Sequence, residues 1–393
     1  MNKGPEVARG KTKVLYEKPG QADVLIVQGL DDITAGDGAR HHEIPGKGRT
    51  AAKTTARVFR LLNLCGLPTH YLSGGEDDDD NEMLVRRCTM IPLEVVVRGA
   101  AAGSFVERRP GVARGSILVP RMVEFFVKDD AAHDPLIEPD DIVGRGMASP
   151  QEVGAMTEIA RITFEILAHA WRRRETLLVD LKLEFGRIQS GEGRGSLVIA
   201  DVIDNDSWRV WPQGREDLML DKQQYRNLDT VTPQDLQRIR DNYETVAEIV
   251  GGFPTLRPGM IAMVADGLDS LPILDEPGRA LQTFGLQTLR RVVSSHLLPG
   301  FVLQAVQQLD ASFSRIVYVA SGPQLAAMLA AATPTPVYDA TEYDADELAM
   351  VVAKTFSLDD TVMFGRVMLV QANARSAVLQ ADAQINAPPV ASA

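Results

Sequence analysis

The sequence predicts two folded sections of different class, an α+β section followed by an α/β section that contains a parallel sheet. Three observations lead to this prediction. The first section opens with two short β-rich runs separated by Pro19-Gly20, and a long helical pattern follows. A stretch rich in glycine and proline, residues 253–259, indicates a linker. Beyond it, strand and helix patterns alternate, and this order is typical of a parallel sheet with helices on both faces.

The composition limits the classes of function. At about 150 residues per domain, 393 residues predict two or three domains. Hydrophobic residues make up 45% and charged residues 24%, as in folded globular proteins. A net charge of -12 disfavours nucleic acid and anionic membranes as partners, so a small anionic substrate needs a local cluster of cations. Two cysteines and the absence of a long apolar run predict a cytoplasmic protein without disulfides.

The elements of the first section, residues 1–252, follow from local patterns. Runs at Lys13–Tyr16 and Asp23–Val27 predict a hairpin. A helical pattern extends from about Arg49 to Leu64. Ser149-Pro150-Gln151-Glu152 is a capping box with proline at the first helical position, so a helix is expected to begin there. Its apolar face consists of Val153, Met156, Ala160, Phe164, Leu167 and Trp171.

The second section, residues 260–386, alternates strand and helix patterns, and residues 387–393 are expected to be a flexible tail. The alternation predicts a three-layer arrangement with a parallel sheet in the middle. The predicted elements are a strand at Met260–Val264, a helix at Pro277–Phe284, a strand at Leu289–Val293, a helix at Pro299–Leu309 and a strand at Ile316–Val319.

The segment Leu177–Gly186 alternates apolar and charged residues. Side chains on a strand alternate between faces, so Asp180, Lys182 and Glu184 share one face and the apolar residues between them share the other. Two interpretations are open at this point. The charged face is either the solvated outer face of an antiparallel strand or the face of a reactive site.

A turn at Gly191–Gly195 and a following apolar run predict that the chain returns as a neighbouring strand that ends at Asp201. This hairpin brings Asp201 close to Glu184. Because Mg²⁺ prefers hard oxygen ligands and commonly takes carboxylates together with nucleotide phosphates, the pair is a candidate metal site.

Further cations and glycine-rich turns are less specific. Lys11 and Lys13 share one face of the first strand and suit a polyphosphate, although exposed strands often carry lysines. The segment 34–40 is a glycine-rich turn with an acid and a base, Asp37 and Arg40, and it is not a Walker loop. Arg98 and Ser104 flank small residues that let an anion approach the backbone. A structural turn with a surface arginine is the alternative.

In this order the motifs resemble the SAICAR synthetase family, ligases of purine biosynthesis. The matching segments are residues 10–13, 35–40, 90–94, 98–104, 128–131, 178–186, 201–209 and 221–226. The resemblance covers about residues 8–250 and implies a two-lobed α+β fold with ATP between the lobes. It also implies the reaction of ATP, L-aspartate and carboxyaminoimidazole ribonucleotide (CAIR) to SAICAR, ADP and phosphate, through an acyl phosphate. The cofactors expected from it are ATP and Mg²⁺.

The resemblance implies a role for each candidate residue by position, and it makes Lys182, Asp180 and Asp37 the catalytic group. It implies that the ATP site contains Lys11, Lys13 and Glu94, and that Mg²⁺ is held by Glu184 and Asp201. For CAIR, it implies that the phosphate is bound by Arg98, Ser104 and Arg209, that the ribose or amine faces Asp37 and Asp180, and that the reacting carboxylate is neutralised by Lys182. For L-aspartate, it implies binding by Arg40, Lys222 and Arg226.

The second section resembles, more loosely, the AIR carboxylase / N5-CAIR mutase family that is fused after this ligase in animals, and that resemblance implies a flavodoxin-like fold. Arg291–His296 followed by Pro299 carries the likeness. The family's Gly-Ser-x-Ser-Asp is replaced here by residues 265–269, where Asp266 would repel a phosphorylated ligand. We therefore expect this domain to keep its fold and an assembly role as a homo-oligomer but to have lost, or greatly changed, its catalysis, with His296 as a remnant.

Three functional hypotheses follow. The first is the ligase alone. The second is a bifunctional enzyme that also makes CAIR from AIR and CO₂, or from N5-CAIR, in the second domain. The third is a non-catalytic nucleotide-binding scaffold, which the set Lys11, Lys13, Glu184 and Asp201 disfavours because a scaffold has no need for it.

Overall fold

The computed structural model describes residues 1–36, 38–77, 80–253, 259–293, 299–313 and 315–385. The chain divides into two units, Met1–Pro254 and Thr255–Ala393. Several predictions fall outside the described residues: Asp37, His296, most of the 253–259 linker and the tail at 387–393.

The elements of the first unit have the following bounds. Over the described residues its strands are Glu6–Arg9 (β1), Lys13–Lys18 (β2), Gln21–Gly29 (β3), Asp32–Ala35 (β4), Arg40–Glu43 (β5), Tyr71–Gly74 (β6), Glu82–Arg86 (β7), Cys88–Ala100 (β8), Ile117–Val127 (β9), Leu136–Ile137 (β10), Thr176–Ile188 (β11), Leu197–Ala200 (β12) and Trp208–Pro212 (β13). Its α-helices are Lys47–Cys65 (α1), Ser104–Arg108 (α2), Pro139–Gly144 (α3), Pro150–Arg172 (α4), Gln223–Arg226 (α5) and Pro233–Gly251 (α6).

The N-terminal lobe is an antiparallel sheet in the order β1-β2-β3-β7-β6. The predicted hairpin is confirmed, because β2 pairs with β3 from Lys13↔Gly29 to Lys18↔Gln21. The predicted first helix is confirmed as α1, which packs against this sheet and against α6. It ends at Gly66, whose φ of 95° is a left-handed conformation that glycine adopts without strain.

The second lobe is an antiparallel sheet in the order β10-β9-β8-β11-β12, with β13 also paired to β11. Helix α4 packs on it, and its capping box is confirmed: the Ser149 hydroxyl accepts from the Glu152 amide and the Glu152 carboxylate accepts from the Ser149 amide. The six apolar residues predicted for the inner face of α4 are all buried. The central position of β11 follows from its length and from its apolar face against α4.

A short backbone bridge joins the two lobes. The amide of His70 donates to the carbonyl of Ile199 at 2.9 Å, and the amide of Ile199 donates to the carbonyl of Pro68 at 3.0 Å. Because Ile199 lies in β12, this bridge places the end of β12 beside the N-terminal sheet. Asp201 directly follows that strand, so its position depends on both lobes.

The second unit contains a parallel sheet, as predicted. The sheet order is β15-β14-β16-β17, and helices cover both faces: apolar residues of β14 alternate between one core with α7, α10 and α11 and another with α8 and α9. Over the described residues the elements are Met260–Asp266 (β14), Asp275–Thr283 (α7), Gln287–Val293 (β15), Pro299–Ser312 (α8), Ile316–Ala320 (β16), Pro323–Ala332 (α9), Val337–Asp339 (β17), Ala345–Ser357 (α10) and Thr361–Ile385 (α11).

Candidate active site

The charged face of β11 is the centre of the candidate site. In the sheet, Asp180 lies opposite Arg98 on β8 and Arg209 on β13, while Glu184 lies opposite Glu94 on β8. Asp180 and Glu184 are each 4% exposed, so the interpretation of a solvated outer face is wrong. The strand is flanked on both sides, and these carboxylates are buried against charged neighbours.

The predicted hairpin between β11 and β12 is confirmed. Glu184 pairs with Ala200, so Asp201 follows immediately beside it. Asp201 has a φ of 67°, a left-handed conformation that aspartate tolerates better than most side chains do. Its carboxylate forms an ion pair with Lys13 of the N-terminal lobe. The two lobes therefore meet at this ion pair.

A cleft of about 470 Å³ opens above these residues. Eight of the predicted site residues line it, and they come from both lobes. They are Lys11, Lys13, Glu94, Lys182, Glu184, Asp201, Lys222 and Arg226. The cleft also takes Thr34, Gly36 and Gly38 from the turn between β4 and β5.

Ammonium and carboxylate groups alternate on the floor of this cleft. The Nζ of Lys182 lies 2.6 Å from Glu94 and 3.3 Å from Glu184, and the Nζ of Lys128 lies 2.6 Å from Glu184. Lysine and carboxylate partners at these distances form charge-assisted hydrogen bonds. The network orients the long lysine side chains along the floor of the cleft.

The environment shifts the pKa values of this network in opposite directions. Burial and the neighbouring charge of Asp201 raise the pKa of Glu184, and the nearby lysines only partly offset this. Burial alone would raise the pKa of Asp201 as well, but Lys13 and Lys182 hold it below its usual value. Burial would lower the pKa of Lys182, yet Glu184 and Glu94 raise it. Separated pKa values of neighbouring groups are common at functional sites.

The donor set at Glu184 and Asp201 suits a hard divalent cation. Both groups are carboxylates, and their mutual repulsion is the strain that a cation between them would relieve. Within the described residues no group of three or more histidine, cysteine or acidic side chains is arranged to hold a metal. An ion here would therefore complete its coordination with phosphate oxygens and water, which is usual for Mg²⁺.

A second group of predicted residues lies beside the cleft, on the same face of β11. The guanidinium of Arg98 lies 2.6 Å from Glu124 and 3.4 Å from Asp180, and Arg209 lies 2.5 Å from Asp180. Arg98 is 3% exposed, so the alternative of a surface arginine is wrong. None of these residues is among those that line the cleft in the described part of the chain.

The segment before α2 packs against this arginine cluster. Gly103 has a φ of 54°, and a Cβ there would lie 2.6 Å from a guanidinium nitrogen of Arg209. The backbone therefore needs glycine at this position. The next residue, Ser104, accepts a hydrogen bond from Arg108 at 3.0 Å, and Arg108 also pairs with Glu124.

Arg40 occupies a third place. Its guanidinium donates to the carbonyl of Tyr225 at 2.9 Å and lies 5.7 Å from the centre of that ring. It is not among the residues that line the cleft, whereas Lys222 and Arg226, on either side of Tyr225, are. The structure thus brings Arg40 to the back of the turn that carries the other two cations.

Sequence reasoning missed three charged residues of the site region: Lys47, Lys128 and Asp206. Lys128 and Asp206 line the cleft. Both residues lie in segments that match the family pattern, and that match was the one signal in the sequence that could have identified them. Lys47 is buried behind Asp206, at 3.9 Å, and its Gly-Lys-Gly context carries no recognisable signal.

A smaller, largely apolar cavity of about 90 Å³ adjoins the cleft. It shares Lys13 and Asp201 with the cleft and is otherwise lined by strands of both lobes. Burial lowers the pKa of His70 in its wall to about 4 and raises the pKa of Cys88 to about 11, so both groups are neutral there. An apolar pocket joined to a cationic cleft matches a ligand with a flat base at one end and phosphates at the other.

A two-lobed α+β unit with this combined pocket and cleft is the architecture of a nucleotide-dependent enzyme. The sequence profile of the SAICAR synthetase family matches residues 6–243. The chain belongs to the SAICAR synthetase family and is an enzyme of the ligase class.

Individual relatives agree with this assignment. The chain is 49% identical over 247 residues to the phosphoribosylaminoimidazole-succinocarboxamide synthase of Roseiflexus castenholzii, a match that covers 63% of this chain and 96% of the relative. It is 34% identical over 364 residues to a bifunctional phosphoribosylaminoimidazole carboxylase/phosphoribosylaminoimidazole succinocarboxamide synthetase of Drosophila melanogaster, covering 90% of this chain and 83% of the relative. A solved SAICAR synthetase in complex with ADP superposes with a TM-score of 0.55 and 32% identity, over 62% of this chain and 97% of that one.

The described residues contain no helix with the length and hydrophobicity needed to span a bilayer.

Proposed function

We propose that the cleft joins CAIR to L-aspartate with hydrolysis of ATP, through an acyl phosphate formed on the carboxylate of CAIR. The observation that carries this proposal is a single cleft in which Lys13 of the N-terminal lobe pairs with Asp201 of the second lobe, while Lys128 and Lys182 pair with the buried Glu184. A carboxylate is a poor electrophile, so amide formation requires that one of its oxygens first be converted to a leaving group. Family membership and the ADP found in a solved relative support ATP as the phosphoryl donor.

The nucleotide is proposed to lie across both cavities. The base would enter the small apolar pocket between Leu15, Val27 and Met90, and the phosphates would extend into the cleft past Lys11 and Lys13. Because Lys13 borders both cavities, its ammonium is placed near the junction of base and phosphates. Glu94 belongs to this site through its hydrogen bond from Lys182.

Glu184 and Asp201 are the proposed Mg²⁺ ligands. When bound there, Mg²⁺ would neutralise charge on the phosphate oxygens. The lysines that now contact these carboxylates, Lys13, Lys128 and Lys182, are positioned to turn toward the same phosphates. Charge on the transferred phosphoryl group would then be surrounded by cations throughout the transfer.

The proposed sequence of bonds has two steps. An oxygen of the CAIR carboxylate attacks the terminal phosphorus of ATP, and the bond to ADP breaks. The neutral amine of L-aspartate then attacks the acyl carbon, phosphate leaves, and the amine loses a proton. Lys182 is proposed to neutralise the reacting carboxylate, and Asp180 and Asp37 are proposed to face the ribose or amine of CAIR.

The arginine cluster is the proposed anchor for the phosphate of CAIR. It contains the guanidinium groups of Arg98, Arg108 and Arg209 against the carboxylates of Asp180 and Glu124, so one positive charge is in excess. Ser104 would add a hydroxyl donor beside them. Arginine suits this role because its planar group can donate two hydrogen bonds to one phosphate.

The proposed site for L-aspartate is the end of the cleft at Lys222 and Arg226. Two cations suit a dicarboxylate. Arg40 supports the turn between them through the carbonyl of Tyr225.

The test is an assay with purified protein. ADP should be released only when CAIR and L-aspartate are both present, and SAICAR should form in equal amount. ADP release that needs neither substrate, or no SAICAR at all, would contradict the proposal. Formation of neither ADP nor SAICAR would favour the nucleotide-binding scaffold.

A second proposal concerns the C-terminal unit. The bifunctional relative matches 90% of this chain, which supports an origin from a fused carboxylase-type domain with a flavodoxin-like fold. The strand order β15-β14-β16-β17 corresponds to the order 2-1-3-4 of such folds. We propose that this unit has lost the carboxylase activity and serves assembly of a homo-oligomer in the cytoplasm.

The alternative to that loss is an active second enzyme. Formation of CAIR from AIR and bicarbonate, or from N5-CAIR, by the purified chain would establish it, and its loss in His296→Ala would assign the residue. No CAIR from either substrate is the expected result.

A further inference from the structure

Lys47 is a buried lysine beside the cleft that the proposed reaction does not use. Its side chain is 1% exposed. It is also the first residue of α1, where the positive end of the helix dipole disfavours a cation. A buried ammonium is unfavourable unless charged partners compensate it. The position of Lys47 therefore calls for an explanation beyond packing.

The backbone holds Lys47 firmly in this place. The amides of Gly46 and Gly48 donate to the two carboxylate oxygens of Asp31 at 3.0 and 2.9 Å. A Cβ on Gly48 would lie 2.7 Å from the backbone of Gly29, so the start of α1 packs directly against the end of β3. The lysine side chain has little freedom to leave the interior.

The partner of Lys47 is Asp206. The Nζ of Lys47 lies 3.9 Å from Asp206 Oδ2, and the same oxygen accepts a hydrogen bond from Lys222 at 2.8 Å. The other oxygen of Asp206 accepts from the hydroxyl of Tyr243. Asp206 and Lys222 line the cleft, while Lys47 and Tyr243 lie behind them, each no more than 1% exposed.

The charges of this cluster balance. Two cations, Lys47 and Lys222, face two acids, Asp204 and Asp206. Burial and the charge of Asp206 raise the pKa of Asp204 to about 6, so both acids are mostly ionised at pH 7. Without Lys47 the cluster would carry a net negative charge at the end of the cleft, where a dicarboxylate is proposed to bind.

We propose that Lys47 is a positioning residue for the amino-acid substrate. Its charge offsets that of Asp206, so that the end of the cleft at Lys222 remains attractive to a carboxylate of L-aspartate. This inference rests on the proposed function, in which Lys222 belongs to the L-aspartate site. Lys47 itself does not touch the substrate.

The test is steady-state kinetics of the full chain with Lys47→Met. Methionine fills a similar volume without charge. We expect the KM for L-aspartate to rise about tenfold, while the KM values for ATP and CAIR stay within twofold. Lys47→Arg should restore the KM for L-aspartate to within threefold of the original protein. Arg49→Met is the matched control, because it removes an exposed cation from the same helical turn and should leave all three values unchanged.

A double-variant cycle separates this inference from the proposed function. If Lys47 acts through Asp206 and Lys222, adding Lys47→Met to Lys222→Met should raise the KM for L-aspartate by less than twofold further. An unchanged KM in Lys222→Met alone would contradict the proposed L-aspartate site. A raised KM in Lys222→Met with an unchanged one in Lys47→Met would overturn only the inference about Lys47.

A merely structural role predicts a different result. In that case the KM values for ATP and L-aspartate would rise together in Lys47→Met. The arginine variant Lys47→Arg would then not restore the KM for L-aspartate. ADP binding measured by calorimetry checks that the variant keeps its cleft. If Lys47→Met does not fold, Lys47→Gln takes its place, since glutamine also lacks the charge but keeps a donor for Asp206. An unchanged KM for L-aspartate in Lys47→Gln would overturn the inference.

Discussion

The two units of the chain differ in how they use buried polar groups. In the first unit, side chains such as Lys47, Arg98, Asp180 and Glu184 are each less than 5% exposed and contact groups of opposite charge. In the second unit, none of the buried polar side chains among the described residues is a lysine or an arginine. The first unit therefore carries a cost of burying cations that is absent from the described residues of the second.

Two buried acids of the second unit stabilise local backbone structure. Asp339 accepts from the amide and hydroxyl of Thr341 in a turn, and Asp360 accepts from the amide of Met363 at the start of α11. Such contacts stabilise turns and helix ends in any protein. Among the described residues, concentrated buried charge is thus the feature that distinguishes the ligase unit from the C-terminal unit.

The largest effect is expected from Glu184→Gln, which keeps the shape of the side chain and removes its charge. Lys128 and Lys182 lose their shared negative charge, and the proposed Mg²⁺ site loses one of its two carboxylates. We expect kcat for SAICAR formation to fall by about 1000-fold. Asp339→Asn makes the same chemical change at a buried acid of the second unit and should leave kcat unchanged. Equal kcat values in the two variants would contradict a special role for the buried charge of the first unit.

The next effect concerns stability against pH. Burial raises the pKa of Asp221 from 3.8 to about 6. The folded protein therefore binds this proton more tightly than the unfolded chain does. The stability it contributes is fully present below pH 4 and is lost as pH rises through 6. Deprotonation of Asp221 should therefore lower the free energy of unfolding by at most about 3 kcal/mol between pH 4 and 7.

Asp221→Asn should remove this part of the pH dependence. The measurement is urea unfolding of both proteins at pH 4.5, 5.5 and 6.5. The amides of Val210 and Gln223 donate to the two carboxylate oxygens of Asp221 at 3.0 and 2.9 Å, and Asn keeps only one of these acceptors, so a loss of stability that is independent of pH is expected as well. A difference in stability between the two proteins that is the same at every pH would show that Asp221 does not titrate in this range.

A smaller effect is expected from Arg209→Gln in the arginine cluster. Removing this guanidinium deletes the excess positive charge beside Asp180, so the KM for CAIR should rise about tenfold with little change in the KM for ATP. Arg215→Gln is the control, because Arg215 is exposed and pairs only with neighbouring Asp217 among the described contacts. A rise in the KM for ATP instead would place the cluster at the nucleotide.

The smallest effect is expected from removing the second unit. The match to the Roseiflexus castenholzii relative covers 96% of that protein but only 63% of this chain. An enzyme of that length therefore needs no such unit. A chain ending at Gly252 should keep kcat/KM for all three substrates within twofold. A tenfold loss of kcat/KM would mean that the second unit supports the ligase cleft. The activity of the first unit would then depend on the second.

Local patterns predicted much of the fold. The capping box at Ser149 predicted the start of α4 because its interactions lie within one helical turn. The alternation around Lys182 predicted which side chains of β11 share a face, because that period is a property of any strand. The glycine-rich turn after Gln189 predicted the pairing that places Asp201 beside Glu184.

The sequence by itself determined the period of side-chain alternation, the turns and the family pattern, and through them the identity of eight of the residues that line the cleft. The tertiary structure alone decided which charges neutralise each other. Lys13 meets Asp201 across 188 positions of sequence, Arg98 is held by Glu124 and Asp180 from two other strands, and Lys47 reaches Asp206 from the start of α1. The physical reason is that Coulomb interactions depend on distance and burial, which the packing of whole elements sets, whereas local patterns record only neighbours along the chain.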